Sequence, residues 1–166
     1  MKRSFVFLVC AVLLFLTSCD FSARKKPVTE NFSCAFTATY DQLQLGGTVQ
    51  REENGTITLS LTQPASLLGL VCQLNGEDMS LKLGELEYKT EVIPAAAVPR
   101  LLREVLDALH SATADATDAD VTTYTGTVGT YAYSVQVSAQ DGFIQSVLVP
   151  DAELEIQFTE VTKAED

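Results

Sequence analysis

Apolar and polar side chains alternate along most of this chain, and that constrains its fold more than any other feature. Phe32, Cys34, Phe36, Ala38 and Tyr40 interleave with Ser33, Ala35, Thr37 and Thr39, the period-two pattern of a strand with one buried face. Leu43, Leu45, Gly47 and Val49 continue it, and Gly46-Gly47 marks a bend or bulge. Asn54-Gly55 predicts a two-residue hairpin, because both central positions of the preferred turn need positive φ. Ile57, Leu59 and Leu61 then share a face. Pro64 to Gly69 forms a short crossing segment, after which Leu70, Cys72 and Leu74 face one way. Asn75-Gly76 predicts a second hairpin. Met79, Leu81 and Leu83 return from it, Gly84 punctuates, and Leu86, Tyr88, Thr90 and Val92 give one more strand.

One segment breaks the period. Leu101, Leu102, Val105, Leu106 and Leu109 recur at spacings of three and four opposite Arg100, Arg103, Glu104 and Asp107, and Pro99 suits a first helical turn. Ser111 to Asp120 is small and polar and reads as a loop. Three or four strands follow, with a turn at Asp141-Gly142, a break at Pro150, and Leu154, Ile156 and Phe158 alternating in the last. Short connections favour antiparallel pairing, and a lone amphipathic helix belongs across one sheet face. The expected class is mainly β (α+β), with about 8–10 strands.

The N-terminus carries a different signal. Lys2 and Arg3 precede an almost wholly apolar run, Phe5 to Leu16, which is short of the roughly 20 residues a spanning helix needs. The run ends in Leu16-Thr17-Ser18-Cys19, which resembles the bacterial lipobox. The resemblance implies a cleaved signal at 1–18 and a lipid-modified Cys19 at the start of the mature chain. Two acyl chains would anchor it stably, at about 0.8 kcal/mol per buried methylene. The expected organisation is a lipidated N-terminus and tether at 19–31 and one extracytoplasmic domain at 32–166, held on the cell membrane. About 135 residues suffice for one domain and not for two.

From Phe32 onward 6 basic residues face 20 acidic ones. That balance argues against nucleic acid as a partner, since nucleic-acid binding needs a basic footprint. Arg24, Lys25 and Lys26 form a small basic cluster beside the anchor, suited to lipid headgroups or simply to a solvated linker.

The element order, the anchor and Pro64-Ala65-Ser66-Leu67-Leu68-Gly69 between two hairpins together resemble the bacterial lipoprotein-carrier and lipoprotein-receptor fold. That resemblance implies a curved antiparallel half-barrel with its helix packed on the concave face over an apolar cavity. The chain differs from the soluble carriers in lacking a clear helix before its first strand.

Few residues suggest chemistry. His110, the only histidine, sits at the helix end, where a cation suits the dipole. Asp115, Asp118 and Asp120 lack the glycine bend and distal Glu of a calcium loop and read as a solvated acidic run. No G-x-S-x-G, H-E-x-x-H, phosphate-binding loop or zinc spacing occurs, so no enzyme activity, cofactor or metal is expected. Cys34 and Cys72 lie on apolar strand faces outside the cytoplasm, where thiols tend to pair. A structural disulfide is expected, with two buried thiols as the alternative.

The expected function is a non-catalytic, membrane-anchored module that shelters a lipid or other amphiphile between sheet and helix. Its candidate contacts are Phe36, Leu59, Leu61, Leu70, Met79 and Leu81 from the sheet, with Leu101, Val105 and Leu109 from the helix. The alternative is an envelope lipoprotein that docks an unidentified partner protein and has no ligand cavity.

Overall fold

A computed structural model describes residues 25–118 and 120–163, with side chains to residue 159. The apolar run, the lipobox and Cys19 lie outside the described residues.

Eleven strands form one antiparallel, open sheet. They are β1 (Phe32–Tyr40), β2 (Leu43–Arg51), β3 (Ile57–Gln63), β4 (Leu70–Asn75), β5 (Asp78–Leu83), β6 (Leu86–Thr90), β7 (Ala116–Thr117), β8 (Val121–Val128), β9 (Tyr131–Ser138), β10 (Ile144–Val149) and β11 (Leu154–Lys163). The order across the sheet is β6-β5-β4-β3-β2-β1-β11-β10-β9-β8-β7. Two meanders, β1 to β6 and β7 to β11, are therefore joined side by side through β1 and β11.

That order fixes the place of the helix α1 (Val98–His110). The link between the meanders must run from one edge of the sheet to the other, and α1 forms its middle. It packs against β8 on one side and against β3 and β4 on the other. Val98, Pro99, Leu101, Leu102, Val105, Leu106 and Leu109 are buried, a continuous apolar stripe turned to the concave face. Burying each of its Leu and Val side chains contributes about 1.5–3 kcal/mol. Among the described residues no helix is long and apolar enough to cross a membrane.

Two glycines permit the curvature. At Gly47 the β2–β3 register shifts, and a Cβ there would run into the Ser60 carbonyl oxygen. Gly126 on β8 lies opposite Tyr133 on β9, whose hydroxyl would be 2.6 Å from an added Cβ, so the buried tyrosine ring fills the missing side chain's place.

The structure adjusts several sequence expectations. The segment after α1 contains the two-residue β7, paired with Thr122 and Thr123, where a loop was expected. Ala116-Thr117 is too short to show a period. At Asn54-Gly55 only the glycine has positive φ, so the turn is not the mirror-image type. Asn54 Oδ1 instead accepts the Thr56 N–H at 2.8 Å and braces a longer loop. The second hairpin turns on Gly76-Glu77, with Asn75 still paired to Asp78. The β1–β2 turn carries positive φ at Asp41 and Gln42, neither of which is glycine.

The folded body also begins before Phe32. Val28 N–H donates to Gly142 O at 2.8 Å, and Thr29 is buried. Gly142 is the only residue type that fits there, since a Cβ would meet the Lys26 carbonyl oxygen.

Candidate functional site: an apolar wing beside the helix

The register aligns the inward-facing residues into rows that cross the strands. One row runs Cys34, Val49, Leu59, Cys72, Leu81, Tyr88. A parallel row from β1 to β6 contains Phe36, Gly47, Leu61, Leu70, Leu83 and Leu86. Both rows start in the core under α1 and become exposed toward the sheet edge. Leu59 is buried, Cys72 and Leu81 are half-buried, and Tyr88 is 62 % exposed. In the other row Leu61 is buried, Leu70 is half-buried, Leu83 is 42 % exposed and Leu86 is 76 % exposed. On this side the helix packs mainly against β3 and β4, and the apolar face becomes more exposed across β5 and β6. The result is an open apolar wing.

The sequence-selected contacts divide along this gradient. Phe36, Leu59, Leu61, Leu101, Val105 and Leu109 are each at most 7 % exposed and pack into one hydrophobic core. Leu70, Met79 and Leu81 sit on the wing, half-buried. Sheet and helix side chains thus meet directly where a sheltered ligand was expected. The open part of the face lies to one side.

Cys34 and Cys72 share a row but are three strands apart, roughly 14 Å along the sheet at the usual strand spacing. A disulfide needs Cα atoms within about 7 Å. Both thiols are free, which corrects the disulfide expectation. Burial pushes the Cys34 thiol up to about 12 and raises that of Cys72.

Polar contacts hold the helix in place. Arg51, 3 % exposed at the end of β2, donates from Nη2 to Asp107 Oδ1 on α1 at 2.5 Å. Its Nε and Nη1 are buried without a hydrogen-bond partner among the described residues. Arg103 Nη1 donates to the Gly76 carbonyl in the β4–β5 turn, and Arg100 Nη1 to the Ile93 carbonyl at 2.9 Å. Sequence reasoning passed over Arg51, although the alternation Leu45, Gly47, Val49 extended by two residues lands on it.

The other singled-out residues have structural surroundings. His110 lies in the last turn of α1, with Thr29 Oγ1 3.5 Å and Glu30 Oε1 3.9 Å from its Nδ1. Asp115 Oδ2 accepts the Thr125 N–H at 2.6 Å and its hydroxyl at 2.7 Å, which pins the chain after α1 to β8. A cleft of about 600 Å³ lies at the end of the wing among Gln73, Ser80, Lys89, Met79, Thr90 and Val92, and its walls are about evenly polar and apolar. Another of about 530 Å³ separates α1 from the β8–β9 turn, with Arg100, Glu104, Asp107, Val128 and Tyr131 around it.

No protein-family model and no curated protein matches the chain. Among solved structures, an uncharacterized conserved protein from Thermus thermophilus superposes with a TM-score of 0.56 at 7 % identity, over 84 % of this chain and 82 % of that one. It shares the fold. A LolA superfamily protein from Nitrosomonas europaea aligns at 8 % identity over 85 % and 89 % of the two chains, with a TM-score of 0.45. The Mycobacterium tuberculosis lipoprotein LppX aligns at 16 % identity over 81 % and 88 %, with a TM-score of 0.42. Those two scores are too low to carry an inference about this chain.

Proposed function

We propose that this chain is a lipid-anchored, extracytoplasmic binding module that holds an apolar or amphiphilic ligand against the open wing of its sheet, without catalysis. The observation that supports the reading is the continuation of two apolar rows past the cover of α1, from Leu70 and Cys72 to Leu86 and Tyr88. Contiguous exposed apolar surface on a folded domain marks a place where something else belongs. Each methylene laid fully onto such a face contributes about 0.8 kcal/mol, and an open face covers only one side of an acyl chain. Association itself costs about 4–15 kcal/mol, so the ligand is held in an exchangeable way. Titration with a fluorescent fatty acid tests the reading: saturable binding that a lysophospholipid displaces supports it, and no saturable binding refutes it.

Anchoring is part of the same proposal and is tested on its own. Cys19→Ala is expected to abolish both detergent-phase partitioning and the lipid mass increment. A variant that partitions like the wild type refutes the lipid anchor.

A second reading, an envelope lipoprotein that docks a protein, has one observation in its favour: β6 is an exposed edge strand. A partner that adds a strand to that edge would need no cavity.

A further inference from the structure

We propose that β6 is a pairing surface for a second copy of this chain, joined edge to edge about a two-fold axis through Tyr88. The strand ends the sheet, and among the described residues no strand pairs with its outer side. It forms a hairpin with β5 through the two-residue turn Gly84-Glu85, flanked by the pair Leu83 and Leu86. A two-residue turn closes on a hydrogen-bonded pair, and such pairs alternate along an antiparallel ladder. Leu86, Tyr88 and Thr90 therefore bond back to β5, and the N–H and C=O groups of Glu87 and Lys89 point out of the sheet.

Those groups admit three symmetric registers. A two-fold axis at Glu87 sets two glutamates against each other, and an axis at Lys89 sets two lysines together. With the axis at Tyr88, Glu87 lies opposite Lys89 of the second copy and Lys89 opposite its Glu87. Opposite charges across a ladder stabilise and like charges destabilise, so charge selects the third register. Glu87 and Lys89 already pair within the strand at 3.0 Å, both exposed on its outer face. The same register places Tyr88 against Tyr88 of the second copy on the inner face, in a non-hydrogen-bonded pair where side chains approach most closely. Leu86 and Tyr88, the two most exposed apolar residues of the wing's rows, lose water there. The apolar row Leu81–Tyr88 of one copy then abuts that of the other. The inference does not depend on the ligand reading.

The test uses the full chain carrying Tyr88→Cys, oxidised in its membrane and run on a non-reducing gel. Facing Cα atoms at such a pair are about 4.5 Å apart, within disulfide range. Tyr88 is exposed, so the substitution spares the core. The expected result is a covalent dimer, well above that from Leu68→Cys, a position of similar exposure (61 % against 62 %) in the β3–β4 connection, away from the edge. Adding either Lys89→Glu or Glu87→Lys is expected to cut the yield about tenfold. Mixing the two charge variants restores it, because each then supplies the charge the other lacks. A yield no greater than that of Leu68→Cys, or one that mixing does not restore, overturns the proposal.

Discussion

Arg51 on β2 and Asp107 on α1 meet at 2.5 Å across the helix–sheet interface, and the two ends of the pair differ sharply in burial. The guanidinium is 3 % exposed and the carboxylate 56 %. The arginine thus bears most of the desolvation, and among the described residues Asp107 is the one carboxylate in ion-pair contact with it. Removing Asp107 leaves a buried cation unpaired. Asp107→Ala is expected to cost roughly 2–3 kcal/mol, read as a lower urea midpoint. Arg51→Met, which removes the charge and fills the space, is expected to be near neutral. Equal losses in the two variants would contradict this account of the pair.

Gly47 sits where β2 bends toward the Ser60 carbonyl. Gly47→Ala forces the β2–β3 backbones apart, so a loss of more than about 2 kcal/mol is expected in the same unfolding assay. Gly76→Ala is the contrast: it meets only open space and is strained by its positive φ alone. A Gly47→Ala variant as stable as the wild type would remove the close approach as a cause of curvature.

Cys34 and Cys72 are expected to remain thiols. With Cys10 and Cys19 replaced by alanine, an Ellman assay on unfolded, unreduced protein is expected to count two thiols. Fewer than two would restore the disulfide.

Burial of Cys34 also sets a pH dependence. Its thiol titrates near 9 in the unfolded chain and at about 12 in the folded one. Below pH 9 both states hold the proton and the contribution is fully present. As pH rises from 9 toward 12 the unfolded chain ionises first, so stability falls through that window. Cys34→Ala is expected to show a shallower fall in urea midpoint across pH 9 than the wild type. Identical slopes would place the thiol in a wetter environment.

On the wing, Leu83→Asp with Leu86→Asp is expected to abolish fatty-acid binding and to leave stability within about 0.5 kcal/mol, since both residues are exposed. Val105→Ala, in the core, is expected to show the reverse: a stability loss of about 1–3 kcal/mol with binding retained. Binding that follows Val105 and ignores Leu83 and Leu86 would place the ligand under the helix.

Much of this architecture was legible in the residues. The alternation in β1, β3 and β11 and the three-and-four spacing of Leu101 to Leu109 identified the elements and their buried faces, because burial on one side imposes a period. The helix's place follows from its position between two meanders. What periodicity could not show was extent: it marks Leu59 and Leu81 alike as inward-facing, while α1 covers one and leaves the other half-open. The cysteines failed for the same reason. Cys34 and Cys72 do share a face, and only the strand order shows that two strands lie between them. Asp41 and Gln42 adopt positive φ without glycine, so no turn signal announced them. There the Asp41 N–H donates to the Glu153 carbonyl, a contact distant in sequence.

Native mass spectrometry of residues 20–166 incubated with a lysophospholipid tests the central claim most directly, alongside the Leu83→Asp, Leu86→Asp variant. The account expects lipid adducts on the wild type and their loss in the variant. A clean apo mass for both proteins, or equal adducts on both, would contradict an amphiphile held on the wing.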